Sequence, residues 1–428
     1  MSIKQINTKV CIIGAGPAGL LIGNILQKYR IPCMVIEKYS QAEIYARSRA
    51  GLVDNHTVTI LEEHGLSDRL FAEGTPHGKC EFRTPEVGHI IDYAQKCQGQ
   101  THYTYPQQEL LVDLIAKFEQ TGGEILFETQ GIEIVNGKHG ATVNCERNGQ
   151  KLVVSCDFIA GCDGFHGVSR AAIPESILQS RTKDFPYAWL AITAEAPPST
   201  EHIIYGLHPR GFAGHMLRNE TTSRYYLQVP LGDTVDNWSD SRIWSELHLR
   251  LAKDGWQLTE GKIIGKQILK MRSFVTQTMQ YHRLFLAGDS AHIMTPAGGK
   301  GMNLAIQDAE VLGKAFVSYY RYHDNAPLKN YSTTRLPVIR TTQQFSESLL
   351  HTINTQDQST ATGQAQQRVQ QFKRLQLINS EIYALEFARQ YVGYIPNIKL
   401  REKPANTTQK PDKSLQVAIA QLPPLRVG

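Results

Sequence analysis

Short apolar runs and glycine-rich turns alternate at the start of the chain. Val10-Cys11-Ile12-Ile13 leads into Gly14-Ala15-Gly16-Pro17-Ala18-Gly19, then a helical run from Leu20 to Tyr29, then Cys33-Met34-Val35-Ile36-Glu37. Brief apolar runs bounded by turn residues read as buried strands, so this opening predicts a βαβ unit. From Gln108 to Gln120 the apolar residues Leu110, Leu111, Leu114, Ile115 and Phe118 repeat with helical period, and Gly122-Gly123 stops the helix before a further strand at 124–127. Asn148-Gly149 lies between two alternating stretches and predicts a hairpin.

Between about Thr182 and Arg272 the helical period lapses, apart from Asp240 to Leu251, and runs such as Arg224-Tyr225-Tyr226-Leu227-Gln228-Val229 favour strands. A buried strand returns at Arg283–Gly288, and helical patterns dominate from Gly301 to about Arg389. The expected fold is therefore α/β. A Rossmann-like domain begins over 1–181, a mainly antiparallel sheet domain is inserted over 182–273, and a return strand with C-terminal helices occupies 274–394. A Pro-rich basic tail, expected to be flexible, fills 395–428.

Composition narrows the class. With 41% hydrophobic and 20% charged residues over 428 positions, collagen-like, disulfide-scaffold and wholly disordered chains are excluded. No apolar run approaches the ~18–20 residues of a membrane helix, and strand-like sequence follows Met1-Ser2-Ile3-Lys4 directly, so a cytoplasmic protein without membrane attachment is expected. The seven cysteines form no C-x-x-C pair, which predicts reduced thiols and no metal site. The net charge of +5 suggests nucleic acid until it is located: six basic and two acidic residues fall after Tyr394, leaving about +1 for the rest and no basic stripe.

Candidate chemistry starts at the glycine turn. Gly14 permits the tight turn, Gly16 lets backbone approach a pyrophosphate, Gly19 allows close helix packing, and Glu37 is placed to accept from a ribose hydroxyl. Two later strand ends carry Asp163-Gly164 and Gly288-Asp289, the second followed by Pro296-Ala297-Gly298-Gly299-Lys300-Gly301-Met302-Asn303. Asp289 could accept from a ribityl hydroxyl, and the glycine turn offers backbone N–H groups to an electron-rich ring edge.

With these three ordered fingerprints the chain resembles the single-component FAD-dependent aromatic hydroxylases, whose nucleotide domain is glutathione-reductase-like. Within them it resembles the 4-hydroxybenzoate 3-monooxygenase group, through CDFIAGCDGFHGVSR, HPRGF, SRYYLQVPL, RLFLAGDSAHI and RQYVG, from about Val10 to Gly393. The resemblance implies FAD as cofactor, NADPH or NADH as electron donor, O2 and a small aromatic acid as substrates, and a homodimer. It assigns a proton relay to Tyr205, Tyr391 and His77, and places the Pro296 carbonyl against the para substituent. The substrate carboxylate falls to Arg218 and Tyr226, beside Met216 and Gly214, where the common pattern differs: Met216 replaces a serine donor, and Gly214 with Ala297 would leave more room. Flavin contacts are implied for Arg47, Arg49, Gln107, Asp163, Asp289, Gly298, Gly301, Met302 and Asn303, with Arg224 supporting movement of the ring. Nicotinamide contacts are implied for Lys38, Glu43, His166 and Arg272. Glu43 would repel a 2′-phosphate, which weakens any preference for NADPH and leaves NADH open as donor.

The implied activity is hydroxylation of 4-hydroxybenzoate, or a close para-substituted benzoate such as 4-aminobenzoate, ortho to the para group. The lost donor at Met216 keeps a decarboxylating 1-hydroxylase open. A flavin-binding sensor or subunit that does not hydroxylate is a reading of another class, disfavoured because a binder has no need of a relay. A flavin-dependent halogenase is disfavoured because no W-x-W-x-I-P segment is present.

Overall fold

The computed structural model describes residues 4–47, 51–356 and 359–396. The architecture concerns the unit ending at Ile395, so the expected tail lies, beyond Pro396, outside the described residues. The βαβ opening forms as strand Lys4–Ile13, helix Pro17–Lys28 and strand Cys33–Ile36. These strands are parallel, and so are the neighbours Gln150–Gly161, Leu284–Leu286 and Glu124–Leu126, which complete the centre of the first sheet. Helices cover this sheet, and its inner positions, Val10 to Ile13 and Phe158 to Ala160, are buried. At the expected hairpin Asn148 and Gly149 take φ of 50° and 74°, as a two-residue type I′ turn requires.

The second sheet runs in the order His292–Ile293, Lys262–Thr276, Ser180–Glu195, Ser223–Val229, Gly211–Leu217, Ile203–His208, Lys79–Arg83, Gly88–Asp92. It is wider than the 182–273 segment expected to supply it. Its last two strands on one side come from residues 79–92, joined by a parallel pairing of Lys79–Arg83 with Ile203–His208 that no local pattern announces. Its longest strand breaks register between Asp184 and Ala188, around Pro186, which has no N–H for the ladder.

Both faces of this sheet are buried. Ala188, Leu190, Ile192 and Tyr225 face a cluster with Ile243, Trp244 and Leu247 of helix Asp240–Arg250. Trp189, Ala191, Tyr205 and Tyr226 face a second cluster with Phe345, Leu349 and Tyr391 of the C-terminal helices. Strand periodicity thus sends alternate residues to two different cores, and the second surrounds the candidate site. A small third sheet, Leu52–Val53, His102–Thr104 and Thr75–His77, contributes lining residues to that site. All seven cysteines are free, six of them buried. Among the described residues no helix is long and apolar enough to cross a membrane.

The third fingerprint is locked in place by one buried carboxylate. Asp308 is fully buried in helix Lys300–Tyr322. It accepts from the Gly288 N–H at 3.0 Å, from His292 Nε2 at 2.5 Å and from Arg335 Nε at 2.7 Å. Burial alone would raise its pKa, but His292 and Arg335 outweigh burial and hold it below the ordinary carboxylate range. Asp308→Asn should therefore cost about 3–5 kcal/mol, because Arg335 is left buried without its counter-charge. Urea unfolding of the apoprotein at neutral pH measures it. In the wild type this contribution is present above the ordinary aspartate pKa and is lost as pH falls through the depressed folded-state value, so the difference from the variant should shrink in acid.

Candidate active site

The three sequence fingerprints meet because parallel register aligns the ends of their strands. Ile13 pairs with Ile36 and with Gly161, and Gly161 pairs with Leu286, so Gly14, Glu37, Asp163 and Asp289 all follow strand ends on one edge of the sheet. Such a carboxyl edge is where open α/β sheets bind ligands. Gly14 has φ of +104°, and a Cβ there would lie 2.4 Å from the Cys162 carbonyl oxygen. A Cβ on Gly19 would lie 2.0 Å from the Gly14 carbonyl oxygen, so the helix packs on the turn only because both positions are glycine. A Cβ on Gly16 would meet nothing within 4 Å, and the helix it begins has no side-chain cap. Its first N–H groups therefore face an open cradle suited to a pyrophosphate.

The acidic members are held differently. Glu37 is buried and accepts from the Ala15 N–H at 2.8 Å and the Tyr39 N–H at 3.0 Å, so it braces the glycine turn itself. Asp163 accepts from the Ser169 N–H at 2.9 Å and folds the loop that carries His166; burial raises its carboxyl above the ordinary value despite that bond. Asp289 is exposed in the turn Gly288–Ser290, which Ser290 ties to the Gly161 carbonyl at 2.6 Å.

Helix Lys300–Tyr322 begins behind two successive left-handed residues, Gly298 and Gly299, with φ of 82° and 63°, and no side chain caps it. A Cβ on Gly301 would meet nothing within 4 Å. Asn303, expected beside the flavin, has its amide engaged by backbone: Oδ1 accepts from Asp54 N–H at 2.9 Å, and Nδ2 donates to Leu52 and Gly299 carbonyls at 2.8 and 2.7 Å. Met302 packs half-buried against the first core.

A cavity opens between this helix start and the second sheet. Tyr205, Met216, Arg218, Arg224, Tyr226, Pro296 and Ala297 line it, as does Trp189, which no sequence motif singled out. Burial, with Arg224 nearby, lowers the pKa of Arg218, so an anion between them would be favoured. Arg224 lies 5.5 Å from the Tyr226 ring, with its Nε buried and unpartnered. Gly214 does not provide the extra room expected of it. A Cβ there would lie 2.9 Å from Phe212 Cζ and 3.2 Å from Met216 Cε, so those two side chains already fill the space.

Tyr205 and Tyr391 join hydroxyl to hydroxyl at 2.8 Å, and both are buried. Burial raises both phenols well above the ordinary tyrosine value. His77 is buried but bonds to neither. Its Nδ1 lies 2.7 Å from the Tyr93 hydroxyl, and its Nε2 has no protein partner. Burial, then His202, lowers its pKa to about 4. Sequence reasoning missed Tyr93 and His102, because a single aromatic at the start of a short helix or a histidine in a short strand carries no periodic signal. Register reveals His102, which pairs directly with His77, and hydrogen bonding reveals Tyr93.

The nicotinamide candidates fall into two groups. Lys38 and Arg47 lie over the Tyr39 ring at 4.8 and 3.3 Å, and Glu43 closes a capping box with Ser40. Arg272 lies 6.0 Å from the Phe165 ring and bonds Asp184 at 2.7 Å, while exposed His166 stands edge-on to the same ring at 5.0 Å. Gln107 opens helix Gln107–Gln120, and Arg49 lies outside the described residues. Elsewhere Glu63, His64 and Glu310 converge, but Lys314 pairs with both carboxylates and occupies the place a cation would take.

Comparison with known proteins agrees with this geometry. Residues 7–346 match the model of the FAD binding domain family. The chain is 37% identical over 401 residues to p-hydroxybenzoate hydroxylase of Acinetobacter baylyi, covering 93% of this chain and 98% of that one. It is 25% identical to the 3-(3-hydroxy-phenyl)propionate/3-hydroxycinnamic acid hydroxylase of Paraburkholderia xenovorans, over 80% of this chain and 55% of that longer protein. In fold it matches the crystal structure of p-nitrophenol 4-monooxygenase from Pseudomonas putida with a TM-score of 0.77 at 19% identity, covering 91% and 97% of the two chains. A strand-end cradle built for a dinucleotide, an anion-seeking cavity beside it and kinship across nearly the whole length place this chain in the p-hydroxybenzoate hydroxylase family of FAD-dependent aromatic monooxygenases.

Proposed function

We propose that the protein uses NAD(P)H and O2 to hydroxylate 4-hydroxybenzoate, or a close para-substituted benzoate, ortho to the para group, giving 3,4-dihydroxybenzoate from the first. The observation that carries this reading is the hydroxyl pair Tyr205–Tyr391, 2.8 Å apart, reaching a cavity that also holds Arg218 and Tyr226. Bound FAD supplies the redox chemistry, taking reducing equivalents from the nicotinamide and activating O2 for transfer of one oxygen atom.

The side chains supply the rest. Arg218, with Tyr226, holds the carboxylate by charge-assisted hydrogen bonds. Pro296 lines the cavity where the resemblance puts its carbonyl against the para substituent, and the apolar wall of Trp189 and Met216 keeps water from the ring. Ring attack needs the phenol deprotonated, and Tyr205 takes that proton while passing its own to Tyr391. Because burial makes a lasting tyrosinate costly, each hydroxyl gives as it receives. His77, neutral at pH 7 and bonded to neither tyrosine, is the acceptor that the family resemblance assigns to the far end.

Glu43 bears on the nucleotide. Hydrogen bonds from Ser40 lower its pKa, so its negative charge at neutral pH stands on the surface of the segment after Glu37 and disfavours a 2′-phosphate. We therefore expect NADH to serve at least as well as NADPH.

The decisive assay supplies FAD, O2, 4-hydroxybenzoate and either nucleotide, and compares product with nucleotide consumed. Near one-to-one 3,4-dihydroxybenzoate is expected. Hydroquinone would instead support decarboxylating attack, to which the missing donor at Met216 points, and mainly peroxide would mean that another aromatic acid, such as 4-aminobenzoate, is the substrate. Tyr205→Phe should keep FAD and substrate binding and lower the hydroxylation rate by about 10²-fold or more, the usual worth of a positioned proton acceptor, read in single turnover. Arg218→Gln should raise the Kd for the aromatic acid by about tenfold or more, the loss of one charge-assisted hydrogen bond, while FAD content stays that of the wild type.

A further inference from the structure

Behind Tyr391 lies a set of buried polar groups that the hydroxyl pair does not use. Strand register puts His77 opposite His102, and the Tyr93 hydroxyl sits between the two rings. It lies 2.7 Å from His77 Nδ1, 3.2 Å from His102 Nδ1 and 3.0 Å from the His77 carbonyl oxygen. His102 Nε2 lies 2.8 Å from the Tyr391 carbonyl oxygen. Tyr93 and His102 are fully buried and His77 is 5% exposed, so the hydrogens in these bonds are shared among protein partners and not with bulk water.

Counting protons resolves the set. A carbonyl oxygen only accepts, so His102 Nε2 carries a hydrogen. Burial, with His77 and Lys300 nearby, holds the His102 pKa well below its ordinary value; the ring is neutral and its Nδ1 is an acceptor. Three acceptors would then compete for the single Tyr93 proton if His77 Nδ1 were also a lone pair. If His77 Nδ1 carries the hydrogen it donates to Tyr93, and Tyr93 is free to donate to His102 Nδ1 or to the carbonyl. The lone pair of His77 is then on Nε2, the one ring nitrogen here with no protein partner.

We propose that Tyr93 and His102 are positioning residues that fix the tautomer of His77, keeping its hydrogen on Nδ1 and its lone pair on Nε2 as the acceptor that ends the tyrosine relay. The inference rests on the relay reading given above. It also explains why the cluster need not rearrange during turnover. A proton arriving at Nε2 converts neutral His77 to imidazolium, the Nδ1–H bond to Tyr93 is the same in both forms, and loss of the Nε2 proton to solvent restores the start. The Tyr93 side is therefore closed to transfer, and Nε2 is the ring nitrogen left open to take a proton.

The test uses FAD-loaded enzyme labelled with [15N]histidine. Ring-nitrogen shifts distinguish the two tautomers, and a His77→Gln sample assigns the signals. His77 should show a protonated Nδ1 and a bare Nε2. In Tyr93→Phe, which removes only the hydroxyl, the Nε2–H form should appear, and single-turnover hydroxylation should fall about tenfold or more while flavin reduction is unchanged. His102→Gln, which retains an acceptor and a donor, should keep the Nδ1–H form, whereas His102→Leu should lose it. An Nε2–H tautomer in the wild type, or an unchanged tautomer in Tyr93→Phe, overturns the proposal. Running Tyr205→Phe alongside separates the two levels. A wild-type hydroxylation rate in that variant would overturn the relay itself, whereas a crippled Tyr205→Phe beside a fully active Tyr93→Phe would overturn only the role given to Tyr93 and His102.

Discussion

The site depends on a buried ammonium. Lys300 is 4% exposed and sits in the first turn of a long helix, where the helix dipole disfavours a cation. It stays there because Asp54 Oδ2 accepts from it at 3.0 Å and the Tyr391 carbonyl at 2.6 Å. A buried charge tolerates no loss of partner, so three elements are pinned at one point: the start of helix Lys300–Tyr322, Asp54 capping helix Asn55–Glu63, and the last turn of helix Glu381–Val392. Tyr391 belongs to that last turn, where helix carbonyls lack intrahelical partners. Its backbone takes Lys300 and His102, which leaves its hydroxyl to meet Tyr205.

The same junction sets the floor of the cavity. With Lys300 fixed, Gly298 and Gly299 turn the chain sharply before the helix, and a Cβ on Gly299 would lie 2.9 Å from Leu52. The helix start thus lies close against the small third sheet, and Asn303 seals the contact through three backbone bonds. On the other side the second sheet presents Arg218, Arg224 and Tyr226 from adjoining positions of one hairpin. An anionic aromatic ring suits such a cavity because the cations are partly desolvated, and a carboxylate restores what burial took from them.

Burial more than charge sets the protonation of the groups in the proposed relay. Both tyrosines are pushed up and the nearby histidines pushed down, so every member of the chain is neutral at rest. The neutral hydroxyl pair Tyr205–Tyr391 offers a proton no point at which charge would be stabilised. In the reaction proposed above, the phenol proton would leave the ring through that pair without trapping charge beside the site of oxidation.

Much of this was legible along the chain. The glycine turn, the hairpin at Asn148-Gly149 and helix Gln107–Gln120 follow from local conformation and periodicity, which neighbouring residues dictate by themselves. Tyr205, Tyr391, Arg218 and Tyr226 were reachable through family likeness; the structure gathers Tyr205, Arg218 and Tyr226 around one cavity and bonds Tyr391 to Tyr205. Other features were not legible. The parallel pairing of Lys79–Arg83 with Ile203–His208 joins segments some 120 residues apart, and no local pattern encodes it. Gly214 read as added room, yet Phe212 and Met216 occupy that room, because a missing side chain in a packed core is filled by its neighbours. The sequence by itself determined the strands, the turns and the residue types able to carry the chemistry, since those depend on near neighbours. Only the tertiary structure decided that His77 meets Tyr93 and His102, and that Lys300 ties three elements together, because buried polar atoms take partners by proximity in space and not by spacing along the chain.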